Sequence, residues 1–396
     1  MLNVIGRLPL HCRDRLRWTA FVAVLSLAAG CFMPVRHPAE KPRFDAAPSA
    51  DHDALFRSTS GWTGADGASS VELDEGAVLW LYNDTWIGSI RDGKHVDAVM
   101  VNNSVAVQRG KDPSAASVEF FWGRGPTGEP AALLTPTDGR GWFWLRSGVR
   151  IGRELWLFAA HVEKAGGEDD SFGFREAGAW LIRVENPDDR PTEWRSTQRK
   201  LPFSSFTPTR NRTFGTAVLQ NEGWIYVYGV DEDLGRSFPR KHAMVARVAQ
   251  SELGEFGRWR FYGQGRWQED PAQAARIFDR AANEYSVSWL PSMAEFISVY
   301  TENGLGPRIN ARLSARPEGP WSEAIEVYEC PEMQRDKGVY SYEAKAHLEL
   351  SLADEIIVTY VVNAFDFWHG ASRAELYWPR FLRARIANSR SVNPGP

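Results

Sequence analysis

Four acidic residues stand out for where they fall in the chain. Asp66 lies just before an apolar run at 68–73, Asp84 follows a second run at 77–82, and Asp74-Glu75-Gly76 joins the two. Acidic residues and then Gly between two apolar runs signal a hairpin, because Gly accepts the positive φ that such turns need. The open ends of an antiparallel hairpin lie side by side, so both carboxylates reach one rim of a sheet. Glu284 and Glu343 stand in the same relation to two later hairpins. Carboxylates crowded at a partly desolvated rim can divide the work of acid and base, since crowding raises one pKa and keeps that group protonated near neutral pH. The competing reading is that each aspartate caps a turn, a common use of the residue.

The elements that must position these groups are strands. Further hairpins pair 142–151 with 154–160, 213–220 with 224–228, 285–290 with 295–300, and 344–351 with 355–362. A looser pair follows most of them: 98–108 with 117–122, 179–184 with 192–197, 243–248 with 259–262, and 308–314 with 325–328. Five units of roughly 65 residues predict an all-β fold, a five-bladed β-propeller of four-stranded blades over 60–388. A β-sandwich would use similar strands but gives no reason for the recurrence. The strand 377–386 is expected to complete a blade near the N-terminal one, since closure removes exposed edges.

In a propeller, residues just before the first strand of a blade and just after the second converge on one central pocket. Those positions hold Asp66 and Asp84 in the first unit, and Trp142, Trp144, His161 and Glu163 in the second. The third unit supplies Asn211, Arg212, Asp231 and Asp233, the fourth Glu284 and Glu302, and the fifth Glu343, His347, Asn363 and Asp366. Trp142 or Trp144 would stack on a flat ring, and Asn211 and Arg212 would hydrogen-bond hydroxyls. Each residue singly also reads as an ordinary turn or surface residue; for His161 and His347 that reading is a satisfied strand histidine.

Composition agrees with this picture. The chain of 396 residues is 43% hydrophobic and 24% charged, enough for a large core. Its net charge of −4 gives no reason to expect nucleic acid. Trp is the outlier at 17 residues, and with 34 Gly and 23 Pro it points to short strands, turns and aromatic binding surfaces suited to sugar rings. No glycine-rich loop leads into a helix, and neither a Ser/His/Asp spacing nor a zinc-ligand cluster is present.

The N-terminus reads as an address. Arg7, Arg13, Arg15 and Arg17 precede an apolar run at 18–29 that is too short to span a bilayer. The run ends Leu27-Ala28-Ala29-Gly30-Cys31, which resembles a bacterial lipoprotein signal in which the cysteine is lipidated, although Ala28 stands where Leu is more usual. The resemblance implies a signal peptide over 1–31, a lipid anchor on Cys31 as the only membrane attachment, and a place in the bacterial cell envelope, on its periplasmic or extracellular face. A non-lipidated secretory signal is the alternative. Residues 32–59, with Pro34, Pro38, Pro42 and Pro48, read as a flexible tether, and 389–396 as a disordered tail. Cys330 remains as a lone thiol, so no disulfide framework is expected.

Four stretches carry a family resemblance: GWTGADG at 61–67, LWLYNDTWIG at 79–88, VNNSVAV at 101–107 and ARPEGPW at 315–321. Together they resemble the five-bladed glycoside hydrolase propellers over about 61–385, nearest to bacterial domain-of-unknown-function relatives of the arabinanases and the family 43 and 32 glycosidases. The last stretch is common to many such propellers. The resemblance implies hydrolysis of a polysaccharide, arabinofuranose-containing in some relatives, by one carboxylic acid that protonates the leaving oxygen and one carboxylate that activates water or attacks. By position Asp66 matches the base or nucleophile and Glu284 the acid, with Glu343 or Asp84 as the supporting carboxylate. Trp142-Phe143-Trp144 stands where the family places an innermost aspartate, which leaves the third carboxylate open. A structural cation in the central channel, held with help from His347, is a further implication; no other cofactor is expected. The expected state is a monomer. A non-catalytic carbohydrate-binding propeller and a protein-docking propeller stay open as rival readings.

Overall fold

The computed structural model describes residues 42–74, 76–164, 173–235, 239–352 and 354–387. The signal segment with Cys31, the tether before residue 42 and the tail 389–396 lie outside the described residues. Five antiparallel sheets hold most of the described strands, led by Ser69–Asp74, Trp142–Ile151, Arg210–Asn221, Tyr285–Leu290 and Val339–Leu352. Each leading strand pairs with the partner the hairpin signal predicts: Ala77–Tyr82, Glu154–Lys164, Trp224–Asp233, Glu295–Thr301 and Glu355–Ala364. The Asn221–Trp224 turn shows the local cause, with positive φ at both Glu222 and Gly223.

Strand side chains alternate between faces, and here both faces are buried. In the first sheet Ala77, Leu79 and Leu81 pack against Phe143, Leu157 and Ile182 of the second, while Val78, Trp80 and Tyr82 pack against Ile357 and Phe381 of the fifth. Similar apolar layers join the second sheet to the third, the third to the fourth and the fourth to the fifth. The leading strands touch one another in chain order, and the last meets the first. All five line one cavity of about 780 Å³.

Several elements differ from the expectation. The stretch 98–108 is not one strand: Lys94–Val101 joins a separate three-stranded sheet with Ser60–Ala65 and Thr85–Arg91, and Ser104–Arg109 belongs to the first sheet. Asn103 causes the break. It is fully buried and its side chain bonds Leu134 N, Leu134 O and Phe143 O at 2.8, 2.8 and 3.0 Å, so the chain must turn there. The outer strand of the second sheet runs over Ser196–Lys200 rather than 192–197, because Pro191–Glu193 forms a 3-10 turn. The third sheet has seven strands rather than four.

The largest correction concerns the tether and the closure. Arg43–Pro48 pairs with Arg380–Ala387 as the outermost strand of the fifth sheet, so the N-terminal segment completes that sheet. The C-terminal strand is therefore internal, flanked on its other side by Glu355–Ala364. The helix Ala50–Phe56 then inserts Phe56 between Trp80 and Phe381 at ring-centroid distances of 5.1 and 4.9 Å. Prolines and charges make 43–56 look like a linker, but Phe44, Ala46 and Phe56 carry enough apolar surface to anchor it. Among the described residues, no helix is long and apolar enough to cross a membrane.

Candidate functional site

The carboxylates converge because of local backbone irregularities at one end of the leading strands. Ahead of the first sheet, Gly67 and Ala68 both have positive φ. A Cβ on Gly67 would sit 3.0 Å from Asn83 N, so only glycine lets the two hairpin ends approach this closely. Asn83 N donates to Asp66 O at 3.0 Å and Asp66 N to Asp84 O at 3.3 Å, which sets the two aspartates side by side as predicted. In the fifth sheet the strand begins at Val339, earlier than expected. Glu343 lies inside it at a bulge, with φ of 57°. A bulge re-aims a side chain, and here it delivers Glu343 to Gly67, whose N–H donates to Oε2 at 2.6 Å. A bulge at Arg146 in the second sheet does the same for that guanidinium.

Asp66, Asp84, Glu284 and Glu343 all line one cavity of about 550 Å³, together with Trp144, Asn363 and Glu176. The hydroxyls of Tyr342 and Tyr377 donate to Asp66 Oδ2 at 2.7 and 3.1 Å, and Asp66 Oδ1 is buried without a partner. Asp84 Oδ1 accepts from Trp144 Nε1 at 3.0 Å and from Asn102 Nδ2 at 3.4 Å. Glu284 accepts on both oxygens, from Asn83 Nδ2 at 3.2 Å and from the ammonium of Lys345 at 2.8 Å. Lys345 is 3% exposed and also donates to Gly67 O and Glu343 O, so one buried cation ties three of the converging segments together.

Burial and mutual repulsion govern the protonation of this cluster. Burial, with Asp84 and Glu284 nearby, holds the Asp66 carboxyl well above the usual range despite its two phenol donors. Burial, Glu284 and Asp66 do the same for Glu343, against Lys345 and the Gly67 N–H. Asp84 is raised by burial to about 6. Glu176 is raised by burial, although Arg146 contacts it at 2.7 Å. A carboxyl whose folded pKa exceeds its unfolded value adds stability below the unfolded pKa and loses it as pH rises through the folded one. For Asp84 that window runs from about 4 to about 6. Asp84→Asn, which keeps an acceptor oxygen for Trp144, is therefore expected to flatten the fall in urea midpoint across this window; an unchanged slope would remove Asp84 as its source.

The remaining predicted residues are elsewhere. Trp142 stands behind Trp144, edge to face at 6.4 Å, and outside the cavity lining. His161 is buried and its Nε2 meets Arg140 O at 2.8 Å. Arg212 donates to Ala274 O at 2.8 Å, and Asn211 lies 3.5 Å from Glu232. Asp366 is exposed and caps the helix Phe367–Ala371 by accepting from His369 N at 2.8 Å. His347 lines the other cavity, its ring nitrogens meeting Ser70 Oγ at 2.5 Å and Thr359 Oγ1 at 2.7 Å, and burial holds its pKa down at about 3. Both ring nitrogens are thus engaged by hydroxyls in the structure.

Tyr342, Tyr377, Lys345, Arg146 and Glu176 escape the hairpin-end rule. Arg146 and Lys345 lie two residues beyond Trp144 and Glu343, but a bulge interrupts strict alternation at each place, so the sequence pattern does not fix where they point. Tyr377 leaves no such trace, since it precedes an inner strand.

A family profile described as a domain of unknown function, DUF5005, matches residues 49–387. No curated protein matches the sequence. Among solved structures, a candidate hydrolase of Bacteroides ovatus superposes with a TM-score of 0.69 at 19% identity, covering 89% of this chain and 93% of that one. The catalytic domain of the Coprinopsis cinerea GH62 α-L-arabinofuranosidase gives a TM-score of 0.46 at 12% identity, over 88% of this chain and 99% of that one. A Xanthomonas citri GH43 enzyme complexed with xylotriose gives 0.45 at 15%, over 87% and 96%. The first likeness, at 19% identity, shows a shared fold.

Proposed function

We propose that this chain, which belongs to the DUF5005 family of domains of unknown function, is a glycoside hydrolase that cleaves an envelope or extracellular polysaccharide. In this reading the five sheets are the blades of a five-bladed propeller, and the cavity of Asp66 is its active site. The observation that carries the proposal is the gathering of Asp66, Asp84, Glu284 and Glu343 in one cavity, with three of them raised by burial. A glycosidic bond needs one carboxyl that holds a proton and one that accepts or attacks, and such a cluster supplies both.

The contacts divide the roles. Asp66 receives two phenol hydroxyls on Oδ2, which favour its charged form against burial, and that suits a base or nucleophile. Glu284 already accepts on both oxygens, one of them from an ammonium, which suits electrostatic support better than proton donation. Glu343 has one oxygen bound by an N–H and the other free to carry a proton, which suits the acid. Asp84 tunes Asp66 through its charge.

The test is a panel of arabinose-, xylose- and fructose-containing glycans incubated with the purified protein, with products separated by chromatography. Binding without any product would favour the non-catalytic reading, and neither binding nor product would overturn the proposal. The same proposal places the protein in the bacterial envelope as a monomer held by lipid on Cys31, away from nucleic acid. Cys31→Ser is expected to abolish fatty-acid labelling and release the protein from membranes; retention in that variant would reject the anchor.

A further inference from the structure

We infer that the cavity takes an oligo- or polysaccharide of at least two consecutive rings, the second ring stacking on Phe365 at the mouth. The inference rests on the glycosidase reading and narrows its substrate class. Phe365 is 64% exposed and Leu305 48%, yet both line the cavity that holds the carboxylates. An exposed phenyl ring beside buried acids has little value to the folded chain alone, and a rimmed apolar patch of this kind marks a binding surface.

The ring is connected to the chemistry. Phe365 lies 4.8 Å from Tyr340 between centroids, and Tyr340 lies 5.2 Å from Tyr342. The Tyr342 hydroxyl then donates to Asp66 at 2.7 Å. A file of aromatic rings thus runs from solvent to the proposed base. Its outer member is held in place, because Phe365 N donates to Gly338 O at 2.9 Å at the end of Glu355–Ala364. A platform fixed on a strand end loses little freedom on binding. Leu305 joins the same framework through its bridge to Tyr342.

A sugar chain fits this surface better than a protein does. The apolar face of a ring covers Phe365, while its hydroxyls can pair with the carboxylates and with Asn363 that line the same cavity. A protein or second copy seated on Phe365 and Leu305 would close over the carboxylates and bury their charge uncompensated.

The experiment titrates the purified protein, in wild-type and Asp66→Asn backgrounds, with xylotriose, arabinotriose and kestose and with xylose, arabinose and fructose. Phe365→Ala is expected to weaken the trisaccharide that binds by about tenfold, ~1.4 kcal/mol, and its monosaccharide by less than about twofold. Phe365→Trp is expected to restore the preference for length. A length preference that persists in Phe365→Ala, or an equal loss for both lengths, overturns the platform while leaving the glycosidase reading intact. A protein that binds neither length defeats the glycosidase reading itself. Self-association that vanishes in Phe365→Ala, measured by sedimentation, would show the patch to be covered by a second copy and also overturns the platform.

Discussion

Asp66→Asn is expected to lower turnover of the cleaved glycan on the order of 10³-fold or more, with the fold and thermal midpoint little changed. The amide keeps an oxygen for the Tyr342 and Tyr377 hydroxyls, so the local hydrogen bonds survive, and Asp66 is not part of the apolar layers between sheets. On the proposed reading, what disappears is the group that accepts a proton from water or attacks the sugar. Glu343→Gln provides the contrast. As the proposed proton donor it should matter greatly for the native glycan, and much less for an aryl glycoside whose leaving group departs without protonation. The assignment fails if Asp66→Asn cleaves the native glycan at the wild-type rate. If the aryl glycoside instead rescues Glu284→Gln and not Glu343→Gln, the acid is Glu284.

Lys345→Met is expected to produce the largest loss of stability, about 3–5 kcal/mol, because removing one partner of a buried ion pair leaves the other charge uncompensated. The lysine is 3% exposed and Glu284 11%, so water can do little to replace the ammonium. The lost cation also faces Glu343, whose carboxyl it holds down against burial and its acidic neighbours. In the variant the folded pKa of Glu343 rises further, and a raised carboxyl loses its contribution to stability as pH increases through its folded value. The deficit should therefore be larger at pH 8 than at pH 5, where Asp84, at about 6, is protonated and the repulsion is relieved. Urea unfolding of both proteins at the two pH values measures it. A deficit below about 1 kcal/mol, or one independent of pH, would show that Lys345 does not neutralise the cluster.

The strands and the leading carboxylates were legible in the chain because their causes are local. Gly76, Gly152 and Gly223 mark turns through backbone freedom, and alternation of apolar residues is a property of consecutive positions. Asp66, Asp84, Glu284, Glu343, Trp144 and Asn363 sit at hairpin ends or two residues inside them, and all six line the cavity. The same rule also chose Asn211, Arg212 and Asp366, since it knows the end of a strand but not the direction of a side chain. Arg212 turned toward a backbone carbonyl, and Asp366 became a helix cap.

Only the tertiary structure decided what surrounds the carboxylates. Tyr377 reaches Asp66 across 311 positions of sequence, and Lys345 reaches Glu284 across 61, distances over which no periodicity carries information. The bulge that turns Glu343 inward is one extra step in a long strand, and its register depends on the neighbouring strand. The fate of 43–56 is of the same kind: charges and prolines describe its composition, but the open edge of Arg380–Ala387 gives it a place. Local sequence determines which residues form strands and turns, because those preferences are paid within a few residues. Which polar groups end up facing one another, and hence which carboxylates are raised and which is paired, depends on burial and charge contributed by segments far apart in the chain.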